Sequence, residues 1–203
     1  MSEGAPKEEE NFGGTPKPLT DDEIEVIHRL FAKHDKSGDK QLQFEEFLAF
    51  IKACYNADLD QDPNGDVNEA EEEYDCNVKQ FRYLYQGMDV DGSGSVSEYE
   101  ICQCFAALKE KNTKWLAKII FRGADKDRSR KISVDEVSDL VSVCVNGFTE
   151  EQFIAKCKEE FGEDTKELTF AQFYKLVVGE TISDNVDPYD GKLKKSSKCC
   201  FLL

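Results

Sequence analysis

The sequence predicts an all-α chain assembled from repeated helix–loop–helix units. Two observations predict it: apolar residues fall at helical spacing on both sides of short Asp-rich loops, and that whole unit recurs along the chain at a fixed interval.

The elements follow in order. Residues 1–19, rich in Pro, Gly and charge, read as a disordered leader. Thr20, with Glu23 three places on, forms a capping box that starts a helix, and Ile24, Ile27, Leu30 and Phe31 keep its spacing. Asp-Lys-Ser-Gly-Asp after His34 breaks that pattern, and Phe44, Phe47, Phe50 and Ile51 carry a second helix. Asp89, Asp125 and Phe161 then stand where Asp35 stands, at intervals of 54, 36 and 36 residues. The first interval exceeds the regular period because an acidic stretch, about 56–75, is inserted between the first and second units.

Composition narrows the function. With 42 Asp and Glu against 26 Lys and Arg, the formal net charge of -16 repels nucleic acid and favours cations. The chain has no apolar run of membrane-spanning length, and its start, Met-Ser-Glu-Gly-Ala-Pro-Lys, lacks the layout of a secretion signal. The expectation is a cytoplasmic protein whose eight cysteines are thiols. Cys54, Cys76, Cys102, Cys104, Cys144 and Cys157 read as small buried apolar residues, not metal ligands. The sequence has no nucleophile–base pair, Gly-rich phosphate loop or zinc motif, so an enzyme is not expected.

The loops point to a hard cation. Ca2+ takes six to eight oxygens, and a 12-residue loop supplies them from positions 1, 3, 5, 7 (carbonyl), 9 and 12 (bidentate Glu), with a sharp turn at position 6. Asp89, Asp91, Ser93, Ser95 (carbonyl), Ser97 and Glu100 fill this template, with Gly94 at the turn and Val96 facing inward. Asp125, Asp127, Ser129, Lys131 (carbonyl), Ser133 and Glu136 repeat it with Arg130 at the turn and Ile132 inward. Asp35, Ser37, Asp39, Gln41 (carbonyl), Gln43 and Glu46 do so with Lys40 at the turn and Leu42 inward. A non-Gly turn residue there needs positive φ, at a cost of about 1 kcal/mol, which weakens the site without abolishing it. The fourth unit has Phe161 for the first Asp and Gln172 for the Glu, and reads as an empty partner of the third loop. The insert holds a further match in Asp60, Asp62, Asn64, Asp66 (carbonyl), Asn68 and Glu71, with Gly65 at the turn. It lies close to its neighbours and lacks helix-packing residues at Asn56 and Glu72. A further calcium loop and a solvated acidic linker both stay open.

These ligand sets in register resemble the EF-hand superfamily, with the four-hand layout of calmodulin and its relatives over residues 20–180. The resemblance implies an N-terminal lobe of hands one and two (20–110) and a C-terminal lobe of hands three and four (111–180). It also implies short antiparallel β bridges, Leu42 with Val96 and Ile132 with Leu168. Two roles compete: a sensor whose helices reorient to expose an apolar groove to an amphipathic helix of a target protein, and a cytosolic buffer that barely opens. With two Met in the chain, a promiscuous Met-lined groove is not expected, though 14 Phe could line a narrower one.

The sensor reading leans on the C-terminus. Residues 181–203 read as a flexible tail in which the charge reverses: Lys192, Lys194, Lys195 and Lys198 precede Cys199, Cys200, Phe201, Leu202 and Leu203. The last four residues resemble a C-a-a-X prenylation signal, and a final Leu suggests geranylgeranyl on Cys200. A second signal is needed for stable anchoring; the lysines and a palmitoyl chain on Cys199 would supply it.

Overall fold

The structure, a computed structural model, describes residues 12–14, 16–56, 78–133, 136 and 149–189. The inserted loop with Asp60, Asp62, Asn64, Asp66, Asn68 and Glu71, the tail cysteines Cys199 and Cys200, and also Cys76 and Cys144, lie outside the described residues.

The described chain is helical with short strand pairs. Its elements run α1 (Asp21–His34), β1 (Gln41–Leu42), α2 (Phe44–Asn56), α3 (Val78–Met88), β2 (Val96–Ser97), α4 (Glu98–Glu110), α5 (Thr113–Ala124), β3 (Lys131–Ser133), α6 (Glu150–Phe161), β4 (Glu167–Thr169) and α7 (Phe170–Val178). β1 pairs antiparallel with β2, Leu42 opposite Val96, and β3 with β4, Ile132 opposite Leu168. This is the all-α architecture expected, with β bridges in the expected register.

Local chemistry sets the helix starts. Thr20 caps α1 in a capping box with Glu23, while Leu19 before it and Ile24 after it pack into the core as a hydrophobic staple. At α4 the box is Ser97 with Glu100, and at α7 it is Thr169 with Gln172. Loops two and four thus hand over to their exit helices through a side chain at the ninth position.

Two cores form, and each draws residues from both sides of position 110/111. Trp115 and Ile119 of α5 pack with Phe31, Phe47, Phe50 and Ile101 of the first lobe, and Tyr83 of α3 joins Phe121, Phe153, Phe170 and Phe173 of the second. The crossing is possible because α3 and α5 touch backbone to backbone. A Cβ added at Gly87 would lie 2.2 Å from the Ile119 carbonyl oxygen, and one at Gly123 2.4 Å from that of Tyr83.

Parts of the expected leader and linker lie against the body. Of 1–19, Pro16 and Leu19 are buried, and Phe12 lies edge-on to Phe170 and Tyr174, at 6.0 and 5.2 Å between centroids. Asn112, the N-cap of α5, donates its side-chain amide to the Gly13 carbonyl at 2.8 Å. Likewise 181–189 does not run as a free linker. Ile182 and Val186 join the second core, and Arg122 donates from Nη1 to the Pro188 carbonyl at 2.8 Å. Scattered apolar residues among polar ones carry no period, yet Phe12, Ile182 and Val186 each join the second core.

Cys102, Cys104 and Cys157 are buried free thiols, as expected, and Cys54 is half-buried. Burial pushes Cys54 and Cys104 up to about 12, far from thiolate chemistry.

Candidate metal centres

Each loop begins where its entering helix ends. Asp35, Asp89 and Asp125 donate their backbone N–H groups to the carbonyls of Phe31, Tyr85 and Phe121, so the first carboxylate of each loop is aimed by the last helical turn.

In the second loop the Asp89 carboxylate gathers the backbone. Oδ1 accepts from the N–H groups of Gly92 and Ser93 at 2.8 and 3.0 Å, and Oδ2 accepts from Gly94 at 3.0 Å. Glu100 closes the ring: Oε1 accepts from Val90 N–H, and Oε2 from the N–H and hydroxyl of Ser97. Ser93 donates its hydroxyl to the Ser95 carbonyl at 2.9 Å, so positions 5 and 7 face the same interior. The third loop repeats this wiring. Asp125 accepts from Ser129 and Arg130 N–H at 2.9 Å each, Glu136 from Lys126 and Ser133, and Lys131 O from the Ser129 hydroxyl.

Carboxylate oxygens of Asp89, Asp91 and Glu100 lie within 4.8 Å of one another, as do those of Asp125, Asp127 and Glu136. These are the only such groups among the described residues. Asp35, Asp39 and Glu46 of the first loop do not form one, although Asp35 accepts from Ser37, Gly38 and Lys40, and Glu46 from Lys36, Ser37 and Gln43. The turns behave as the template requires, with Lys40 at φ 64°, Gly94 at 78° and Arg130 at 66°.

Electrostatics separate the loops further. Burial pushes Glu100 and Asp125 above the ordinary carboxyl range, against the pull of their N–H donors. At Asp35 burial also opposes ionisation, but the Lys40 N–H and Ser37 hydroxyl outweigh it and the carboxyl is lowered. Buried, mutually close carboxylates are costly until an opposing charge arrives, and a hard dication with oxygen ligands supplies it. The donors present fit Ca2+ in number and kind.

The fourth loop keeps the frame alone. Thr169 and Gln172 form the capping box, Gln172 accepting the Thr169 N–H at 2.9 Å, while Phe161 contributes no oxygen.

Sequence reasoning missed three residues around these loops. Tyr85 donates its hydroxyl to Gly94 O at 2.6 Å and Leu42 O at 3.3 Å, tying the second loop to the first. Arg128 of the third loop reaches the second, donating to the carbonyls of Asp89 and Val90 and pairing with Asp89 Oδ2 at 3.3 Å. Tyr189 donates its hydroxyl to Asp125 Oδ2 at 2.8 Å. One signal was available: Gly87 and Gly123 each sit two residues before a first-position Asp inside a helix, where Gly costs about 1 kcal/mol and so marks a close approach.

No family model matches the chain. Among curated proteins it is similar to "Probable calcium-binding protein CML34" of Arabidopsis thaliana, 32% identical over 124 residues that cover 56% of this chain and 94% of the relative. It is also similar to "Calcium-binding protein SPEC 1A" of Strongylocentrotus purpuratus, 24% identical, covering 62% of this chain and 96% of that one. "Polcalcin Cup a 4" of Hesperocyparis arizonica is 23% identical, covering 70% and 95%.

Proposed function

Since this chain belongs to the EF-hand superfamily of calcium-binding proteins, we propose that it is a calcium sensor held on the cytosolic face of a membrane, where Ca2+ makes an apolar surface available to an amphipathic helix of a target protein. Ca2+ is the bound ion, and hands two and three would hold it most firmly, through Asp89, Asp91, Ser93, Ser95, Ser97 and Glu100 and through Asp125, Asp127, Ser129, Lys131, Ser133 and Glu136. The anchor in this reading is a geranylgeranyl group on Cys200, assisted by Cys199 palmitoylation and the four lysines.

One observation supports the sensor over the buffer. The segment that leads into the basic tail rests on hand three, with Tyr189 on Asp125 and Asp187 paired to Arg130 at 3.0 Å. Loop three and the segment just ahead of the basic tail are in contact, which a diffusing buffer has no use for. The buffer reading draws on the glycine contact between α3 and α5, which resists wide opening.

Two measurements test the proposal. An apolar dye added to the full chain should brighten when chelator is replaced by saturating Ca2+; an unchanged signal would favour the buffer. In a eukaryotic cell the parent should carry lipid mass and sediment with membranes, and Cys200→Ser should not; equal soluble fractions would rule out the anchor.

A further inference from the structure

We propose that hands two and three, which belong to different lobes, are a coupled pair of calcium sites joined through Arg128 and Tyr189, so that filling one tightens the other. The inference rests on both loops holding Ca2+, and adds a relation between them.

The link is a continuous chain of contacts. In both loops Oδ1 of the first Asp accepts backbone N–H groups of the turn, and Oδ2 accepts the N–H of the sixth residue, Gly94 or Arg130. In each loop Oδ2 also meets a group from outside. At Asp89 it is the Arg128 guanidinium, 3.3 Å away, and at Asp125 it is the Tyr189 hydroxyl, 2.8 Å away. Arg128 and Tyr189 meet in turn, the guanidinium carbon lying 5.4 Å from the ring centroid. Asp125, Tyr189, Arg128 and Asp89 thus form one path from the third loop to the second. Among the described residues the first loop shows no such contact: Oδ2 of Asp35 takes the Lys40 N–H at 2.9 Å.

The direction of coupling follows from where Arg128 sits. Its backbone lies between the predicted ligands Asp127 and Ser129, in the left-handed region at φ 56°, a conformation a β-carbon disfavours. Coordination by its two neighbours fixes that backbone. The guanidinium is then held over the first turn of the second loop, donating to the carbonyls of Asp89 and Val90. Part of the ordering that loop two requires is met when loop three fills, and linkage makes the benefit mutual. The guanidinium's charge beside Asp89 Oδ2 lowers the absolute Ca2+ affinity of loop two, so the ratio of affinities is the quantity to measure.

The β bridges cannot account for this link, because they join hand one to hand two and hand three to hand four. The contact between loops two and three exists because Gly87 and Gly123 let α3 and α5 approach closely just before both loops begin.

The test is a Ca2+ titration of the full 15N-labelled chain by NMR, following the backbone amides of Gly94 and Arg130, one reporter in each loop. Glu136→Gln silences loop three and should move the Gly94 midpoint to at least about fivefold higher Ca2+. Glu100→Gln should move the Arg130 midpoint by the same factor. With Arg128→Gln present, both displacements should fall to within about twofold. Tyr189→Phe keeps the ring and removes the hydroxyl; it should shrink both displacements, and it carries the test if Arg128→Gln fails to fold. A Gly94 midpoint indifferent to Glu136→Gln, or a displacement that survives Arg128→Gln, overturns the coupling while leaving both sites intact. Amides that ignore Ca2+ altogether overturn the sites and the coupling with them.

Discussion

Hands three and four share one β bridge and one hydrogen-bonded link between loop positions nine and twelve, yet only hand three gathers carboxylates. In hand three Glu136 accepts the Ser133 N–H and hydroxyl; in hand four Gln172 accepts the Thr169 N–H in the same place. The capping function of the twelfth position therefore survives the loss of its charge. What hand four lacks is Asp at the first position, where Phe161 stands against the second core. The frame and the ligand set are separable, and the frame is held by packing and caps that an amide fulfils as well as a carboxylate.

Making hand three resemble hand four should produce the largest effect. Glu136→Gln removes one bidentate carboxylate while keeping the cap, and should lower Ca2+ affinity at that loop by more than about 100-fold in calorimetry, with circular dichroism unchanged. The reverse substitution, Gln172→Glu, should leave the number of bound ions unaltered, because Phe161 still supplies no oxygen. A gained ion would show that the assigned register of hand four is wrong.

Smaller effects sharpen the same contrast. Hand three's entering helix is locked to α3 through Gly123, whereas hand four's α6 carries Glu159 at the equivalent place. Gly123→Ala should cost about 1–3 kcal/mol by overpacking, read as a lowered denaturation midpoint in chelator. Glu159→Ala should cost under about 0.5 kcal/mol. Thr169→Ala, which removes hand four's cap without touching any predicted ligand, should cost about 1 kcal/mol and leave calcium stoichiometry intact.

Protons give the finest distinction. Burial raises Glu100 and Asp125, so in the metal-free fold they contribute stability below the ordinary carboxyl range and lose it as pH rises through their raised values. Ca2+ binding at loops two and three should therefore release protons in the pH window from the ordinary carboxyl range up to their raised values, measurable by calorimetry in buffers of different ionisation heat. Asp35 is lowered, so its carboxyl should release none in that window. Equal proton release from chains with and without Asp125→Asn would contradict the assignment.

The units and their register were readable because they repeat: 36-residue spacing, ligand oxygens at alternate positions, and an inward apolar residue at the eighth place appear in the chain as local patterns. The strand pairs Leu42 with Val96 and Ile132 with Leu168 followed from the family resemblance and match the structure. Arg128 and Tyr189 were not readable. Each acts through a few contacts with residues tens of positions away, and isolated long-range contacts leave no period in a sequence. Phe12, Ile182 and Val186 were hidden for a related reason, being isolated apolar residues in segments whose average composition is polar.

The position of Phe12 bears on the order in which the molecule can form. It precedes every helix described, but the rings it packs against, Phe170 and Tyr174, belong to the last of them. Hands one and two can close their core once α5 has emerged with Trp115 and Ile119, while the second core stays open at this edge until α7 has been synthesised. Closure by so distant a contact is slow relative to the local helix pairs around it. A nascent chain would therefore hold a completed first lobe beside an unfinished second one, and Phe12 would act as a latch that engages only after α7 is made.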